Sequence, residues 1–320
     1  MTDSKDLQRV LDRAESLLAK LEALLPGAAE PDWDAAVAFR WRRRRNALGV
    51  QGVLQPVRHL AAIMFDDLQN IEQQKQDVVR NTRQFVEGRP ANNVLLTGSR
   101  GTGKSSLIKA CLNAYHREGL RLIEVDKDDL TDLPEIVELV STRPERFIIF
   151  CDDLSFEEGE PGYKALKTAL DGSIAAQSAN VLIYATSNRR HLMPEYMSEN
   201  LSAKHQADGE IHPGETVEEK ISLSERFGLW VAFYPFRQDD YLAAVAHWLG
   251  HFGADAAQVA AARADALRFA LERGSRSGRV AWQFAKDWVG SQSMTAPPAG
   301  RAAGASGAGT GTPDVGGPAR

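Results

Sequence analysis

Eight consecutive residues, Gly98-Ser99-Arg100-Gly101-Thr102-Gly103-Lys104-Ser105, restrict what this chain can fold into more than any other feature. They fit the pattern G-x-x-x-x-G-K-[ST] without departure. The pattern works only between a strand and a helix. The flanking residues offer both: the apolar run Asn93–Thr97 before it, and SSLIKACLNAYH, which reads as a helix, after it. Glycines at such a turn permit positive φ and aim backbone N–H groups at an anion. The helix that follows adds its positive end. Gly98, Ser99, Arg100, Gly101, Thr102, Gly103, Lys104, Ser105 and Ser106 are the expected phosphate-binding residues. Lys104 is expected at the β- and γ-phosphates of ATP, and the Ser105 hydroxyl on Mg²⁺.

A loop of this kind belongs to a parallel α/β sheet, and the surrounding pattern agrees. Asn93–Thr97, Arg121–Val125, Phe147–Cys151, Val181–Ala185 and Trp230–Tyr234 are short, apolar and rich in β-branched or aromatic residues. Helical periodicity separates the first four, as in βαβ units whose strands are buried on both faces. We place the α/β core at residues 71–236 and a helical lid at 237–290. Residues 291–320 are dominated by Gly, Ala, Pro, Ser and Thr. Such a segment buries too little apolar surface to offset the entropy of ordering, so it is predicted to be disordered.

Two helical regions are predicted ahead of the core. In residues 1–30, Leu7, Leu11, Ala14, Leu18, Leu21 and Leu25 form one stripe of a helix that Pro26, Gly27 and Pro31 terminate. That stripe packs on its own protein or pairs with another helix. Residues 31–70 read as a helical extension. One stretch of it carries Arg40-Trp41-Arg42-Arg43-Arg44-Arg45, and another puts Val57, Leu60, Ala61, Met64, Phe65 and Leu68 on one face. The arginine run suits the phosphates of a nucleic acid, chiefly through Arg42–Arg45 with Trp41 available for stacking. It equally suits a solvated helix face or a dock for an acidic neighbour.

Composition narrows the function classes. A formal charge of −5 over 320 residues gives no global attraction to nucleic acid, so any basic contact must be local. Cys111 and Cys151 are too few for a disulfide framework. No apolar run approaches the ~18 residues that span a bilayer, and the N-terminus lacks a signal pattern. The expected compartment is the cytoplasm. His191, His205 and His212 follow no compact metal spacing. The stretch 190–224 is long for a connection and is expected to be functional.

Asp152 and Asp153 follow the run Phe147–Cys151, at the carboxyl edge where open α/β sheets bind ligands. Asp152 is expected to hold Mg²⁺, and Asp153 to polarise the attacking water, with Glu157 and Glu158 as alternatives.

The blocks PANNVLLTGSRGTGKSS, FIIFCDDLSFEEGEPGYKALKTALDG, YATSNRRHLMPEYM and LSERFGLWVAFYPFRQDDYL resemble the bacterial AAA+ ATPases called the domain of unknown function 815 family. The resemblance covers about residues 50–290. It implies a P-loop NTPase core of AAA+ type with a C-terminal helical lid, and no assigned biological role. It also implies that Asn188 orients the nucleophile beside the γ-phosphate and that Arg226 reaches into a neighbour's ATP site. Arg279, with Arg276 as competitor, falls where the lid's sensor arginine is expected. Most ATPases of this class carry Glu where this chain has Asp153. The expected protein is an ATPase acting as a homo-oligomer on an unidentified protein partner. A nucleotide-gated switch with slow hydrolysis and a nucleic-acid loader are the alternatives.

Overall fold

The computed structural model describes residues 13–15, 31–46, 49–156, 160–171, 178–189, 192 and 223–295. Seven strands form one sheet: β1 (Ala38–Asn46), β2 (Gly49–Pro56), β3 (Val94–Gly98), β4 (Leu120–Glu124), β5 (Arg146–Cys151), β6 (Val181–Ser187) and β7 (Leu229–Phe233). Their order is β2-β1-β4-β5-β6-β3-β7, parallel throughout except for the antiparallel pair β1–β2.

Side-chain alternation along the strands divides the core into two layers. Val94, Leu96, Ile148, Phe150 and Tyr184 face α1 (Glu72–Val86), α2 (Lys104–Tyr115) and the lid. Leu95, Phe147, Ile149, Ile183 and Ala185 face α3 (Leu133–Ser141) and α4 (Pro161–Asp171). Covered on both sides, the strands read as continuous apolar runs, which is why the sequence exposes them so clearly.

The lid is α5 (Gln238–His251), α6 (Ala256–Glu272) and α7 (Gly278–Thr295). Asp255 caps α6 by accepting from Gln258 N at 2.8 Å, and Asp255 N donates in return to Gln258 Oε1 at 2.9 Å. Ala262, Ala266 and Ala270 are buried on α6, and the Tyr241 hydroxyl of α5 crosses to Ala266 O at 3.0 Å. The P-loop NTPase core and the C-terminal helical lid are therefore as expected.

The helical extension expected over 31–70 is not. Its arginine run is strand β1, which pairs with β2 as a hairpin and with β4 as part of the main sheet. Successive arginines point to opposite faces and meet carboxylates from distant residues. Arg40 bonds Glu124 at 2.7 Å, Arg42 pairs with Asp126, and Arg43 bonds Asp132 at 2.6 Å. Trp41, 1% exposed, lies across Gly52 and donates from Nε1 to Asp132 at 2.9 Å. A Cβ on Gly52 would stand 1.8 Å from the Trp41 ring, so glycine is required there.

Between Val57 and Leu68 only Phe65–Asp67 is helical, as a single 3₁₀ turn. The Asn113 amide of α2 donates to the carbonyls of Ala61 and Ile63, both at 2.9 Å, and satisfies a backbone that no helix serves. At the other end α7 continues to Thr295, past the boundary expected at 291. Apart from helical residues 13–15, the N-terminal helix lies outside the described residues, as do the segment with His191, His205 and His212 and the tail beyond 295.

Candidate functional site

The phosphate loop leaves β3 against its neighbour β7. Gly98 has φ 122°, and a Cβ on it would fall 1.9 Å from the Phe233 carbonyl oxygen. Gly101 (φ 76°) and Gly103 (φ 102°) also occupy the left-handed region, and Gly103 opens α2. The Thr102 hydroxyl braces the turn by donating to Ser99 O at 2.8 Å.

Lys104, the first residue of α2, is 6% exposed. Its ammonium donates to Gly98 O (2.7 Å), Ser99 O (2.8 Å) and Asn188 Oδ1 (3.0 Å). Burial lowers its pKa to about 8; Asp152 and Asp153 oppose that shift, and Arg279 and Arg100 assist it. Its charge is thus poorly compensated within the protein alone.

The ends of β5 and β6 supply the acids and their supports. Asp152 accepts from Ser105 Oγ at 2.6 Å and from Thr186 Oγ1 at 2.5 Å, both on Oδ1. The same Thr186 oxygen accepts from Asp153 N at 2.9 Å. Asp153 has φ 52°, uncommon for a residue with a side chain. Its carboxylate accepts from Asn188 Nδ2 and lies 3.9 Å from the Arg100 guanidinium. Asn188 therefore joins Lys104 to Asp153.

Thr186 escaped the sequence reading. It was visible in the polar trio Thr186-Ser187-Asn188, but only strand register separates the three. Cys151 pairs with Ala185, which sets Thr186 beside Asp152, while the Ser187 hydroxyl turns away to Leu154 O at 2.7 Å.

These groups open onto a cavity of about 870 Å³ between core and lid. Arg100 through Ser106, Asp152, Asp153, Thr186 and Asn188 form its polar part. Ala61, Ile63, Leu68, Ile71, Phe236, Trp248 and Trp282 form its apolar part. The segment 57–68, misread as a helix, thus supplies wall residues. Arg279 lines the cavity, whereas Arg276 is exposed and lies outside it. Arg226 is also outside: its Nε donates to Asp171 Oδ1 at 2.5 Å, at the end of α4. Glu157 and Glu158 lie outside the described residues.

The chemistry of the donors suits a hard divalent cation. A serine hydroxyl and a carboxylate meet at hydrogen-bond distance beside a phosphate loop, and Mg²⁺ takes one or two such protein oxygens with the rest from phosphate and water. Among the described residues no cluster of three or more His, Cys, Asp or Glu forms a separate metal site, and no helix is long and apolar enough to cross a membrane.

Of the arginine run, Arg40, Arg42 and Arg43 are occupied by carboxylates of this chain, and Arg44 and Arg45 are exposed with no ion pair among the described residues. The acidic neighbour is internal, and two cations remain of the patch considered for nucleic acid.

The family model described as "Protein of unknown function (DUF815)" matches residues 34–292. No curated protein matches the chain. Among solved structures, a RuvB mutant from Thermotoga maritima is 14% identical at TM-score 0.45, covering 70% of this chain and 63% of that one. The ORC1 protein of Aeropyrum pernix, solved in complex with DNA, is 16% identical at TM-score 0.48, covering 71% and 61%. The FIGL-1 AAA domain in complex with ADP is 15% identical at TM-score 0.48, covering 74% and 76%. The chain spans less than two thirds of the length of the first two.

Proposed function

This chain belongs to the DUF815 family, and from the geometry of its site we propose that it is an AAA+ ATPase that binds MgATP between core and lid and hydrolyses it to do conformational work on a protein partner. One observation carries the reading. Lys104, the Ser105–Asp152 pair and the Asn188–Asp153 pair converge on a single cavity that Ile63, Ile71, Phe236 and Trp248 wall on another side.

The triphosphate lies in the phosphate loop, where the N–H groups of residues 101–105 and the N-terminal end of α2 hold its charge. Lys104, its charge poorly compensated within the protein, turns to the β- and γ-phosphates. Ser105 and Asp152 would hold Mg²⁺, which would supply charge neutralisation at the phosphate oxygens. Asp153 accepts a proton from the attacking water while Asn188 positions its carboxylate. Arg279 reaches the phosphates from the lid. Arg226, remote from its own cavity, serves the site of a second copy in a homo-oligomer. The buried free thiols Cys111 and Cys151 fit a reducing cytoplasm.

The test is ATP turnover and solution mass, with and without MgATP, for the wild type and Lys104→Ala. Turnover and nucleotide-driven assembly that both vanish in the variant support the proposal. Failure of the wild type to bind ATP ends it. A second reading rests on Asp153, shorter than the usual Glu and engaged by Asn188 and Arg100: a nucleotide-gated switch whose slow hydrolysis resets it. Tight ATP binding with turnover that no partner raises selects that reading.

A further inference from the structure

The sheet ends in two edges that are finished differently. Along β7, α1 approaches and the Gln74 amide donates to the Ala232 carbonyl at 3.0 Å, so an outward group of that edge is served. Among the described residues the β2 edge has no such cover. Val57 N donates to Ala38 O at 2.9 Å, so residues 38 and 57 form a hydrogen-bonded pair. Antiparallel pairing alternates, which directs the backbones of Gly49, Gln51, Val53 and Gln55 toward β1 and those of Val50, Gly52 and Leu54 away from it. Three consecutive outward positions therefore present both N–H and C=O, and among the described residues none of these groups has a partner.

Exposed edges are ordinarily guarded by charged side chains, bulges or covering elements. β2, GVQGVLQP, has no charged residue, and Val50 is 61% exposed. The charge sits instead on the adjoining strand. Arg45 pairs in register with Val50, and Arg44 with Gln51, so the two unpaired guanidinium groups flank the Val50 end of the edge, one on each face of the sheet.

We propose that the β2 edge is a docking site for an extended, acidic peptide segment of a partner protein, which adds to the sheet as an eighth strand. The main chain of Val50, Gly52 and Leu54 supplies the pairing, and Arg44 and Arg45 select carboxylates at one end of the added strand. Charge decides between occupants. A second β2 brings no carboxylate to these arginines. A nucleic acid has little use for a neutral strand edge, and two cations fall far short of the ~6–10 phosphate contacts of typical binders. The site lies in the hairpin, apart from the nucleotide cavity, and does not depend on hydrolysis.

The experiment is selection of a random decapeptide library displayed on phage against the full chain, followed by synthesis of the enriched peptides. The expected winners carry Asp or Glu toward one end and slow amide exchange at Val50, Gly52 and Leu54 at least tenfold. Arg44→Glu with Arg45→Glu should weaken them tenfold or more without changing circular dichroism. Val50→Pro, which removes one outward N–H, should weaken them independently. Peptides without acidic residues, protection at other amides, or affinity that survives the charge reversal would each overturn the proposal. So would a library that yields nothing. Arginine-dependent binding of a thirty-nucleotide single strand, without a selected peptide, would assign the patch to nucleic acid. A dimer protecting the same amides would assign the edge to a second copy.

Discussion

The backbone N–H of Arg279, in the first turn of α7, donates to the carbonyl of Gly101 in the phosphate loop at 3.2 Å. Lid and loop therefore meet main chain to main chain, beneath the side chain expected to sense nucleotide. The Gly278 backbone is equally close: a Cβ there would lie 3.4 Å from the same Gly101 oxygen.

Gly101 is the position that permits this contact. A Cβ added to it would stand 2.7 Å from Ser277 Oγ and 3.2 Å from Arg279 Cβ, at a φ of 76°. Gly101→Ala should cost about 1–2 kcal/mol in left-handed strain alone and should push α7 off the loop. Isothermal titration is expected to show nucleotide affinity at least tenfold lower, and limited proteolysis a lid cleaved faster. Unchanged affinity would mean that loop and lid are not coupled here.

Thr186 should act on the metal rather than on the nucleotide. Thr186→Val removes the hydroxyl that holds Asp152 Oδ1 and receives Asp153 N, at a position 1% exposed. Leaving such a donor unserved costs about 1–3 kcal/mol. ADP binding without Mg²⁺ should stay within twofold of wild type, while the enhancement by Mg²⁺ should fall tenfold or more. Thr186→Ser, which keeps the hydroxyl, should restore it. Equal losses with and without Mg²⁺ would show a merely structural residue.

Lys104 predicts a pH dependence whose sign can be worked out. Its pKa is about 8 in the folded chain against an ordinary value of 10.5. Nucleotide affinity should be level below pH 8 and fall by up to roughly tenfold per unit above it as the free protein loses the proton. Stability moves oppositely. The unfolded chain holds that proton between pH 8 and 10.5, so this residue's contribution to stability rises across that window. Lys104→Met should flatten both profiles and, by removing a buried cation, leave the melting temperature near neutral pH equal or higher. A markedly lower melting temperature would contradict the burial penalty.

For Arg226 the expected signature is complementation. Arg226→Ala should abolish turnover by ~10³-fold or more with ATP affinity within twofold. Loss of its partly exposed pair with Asp171 should cost at most about 1 kcal/mol. Mixing Arg226→Ala with the inactive Lys104→Ala variant should recover part of the turnover, because each chain supplies what its neighbour lacks. A mixture that stays inactive would place the arginine's role within its own chain.

The strands β3 to β7 were readable to within two residues at their ends: for β3 to β6 burial on both faces writes itself as an unbroken apolar run, and β7, exposed at Trp230 and Ala232, keeps the apolar composition of an edge strand. The loop at 98–105 was readable because its turn is contiguous: Gly98, Gly101 and Gly103 at positive φ and the start of α2 fall within eight neighbouring residues. Asp152 was readable for a related reason, as the first polar residue after a buried strand. Residues 38–68 were not. An arginine-rich strand resembles a helix face until Glu124, Asp126, Asp129 and Asp132 neutralise it from more than eighty residues away. The apolar spacing of 57–68 matched a helix by coincidence, and it is Asn113, fifty residues distant, that makes an irregular path affordable.

The amino-acid sequence by itself therefore determined the glycine-rich strand-to-helix turn, the parallel core and the existence of a lid, since each depends on neighbours in the chain or on simple periodicity. Tertiary structure alone decided which of Arg276 and Arg279 faces the cavity, which of three polar residues holds the two aspartates, and which arginines stay free. Those outcomes depend on register and on the approach of distant segments, where a hydrogen bond or an ion pair forms only once folding has placed both partners within about 3 Å.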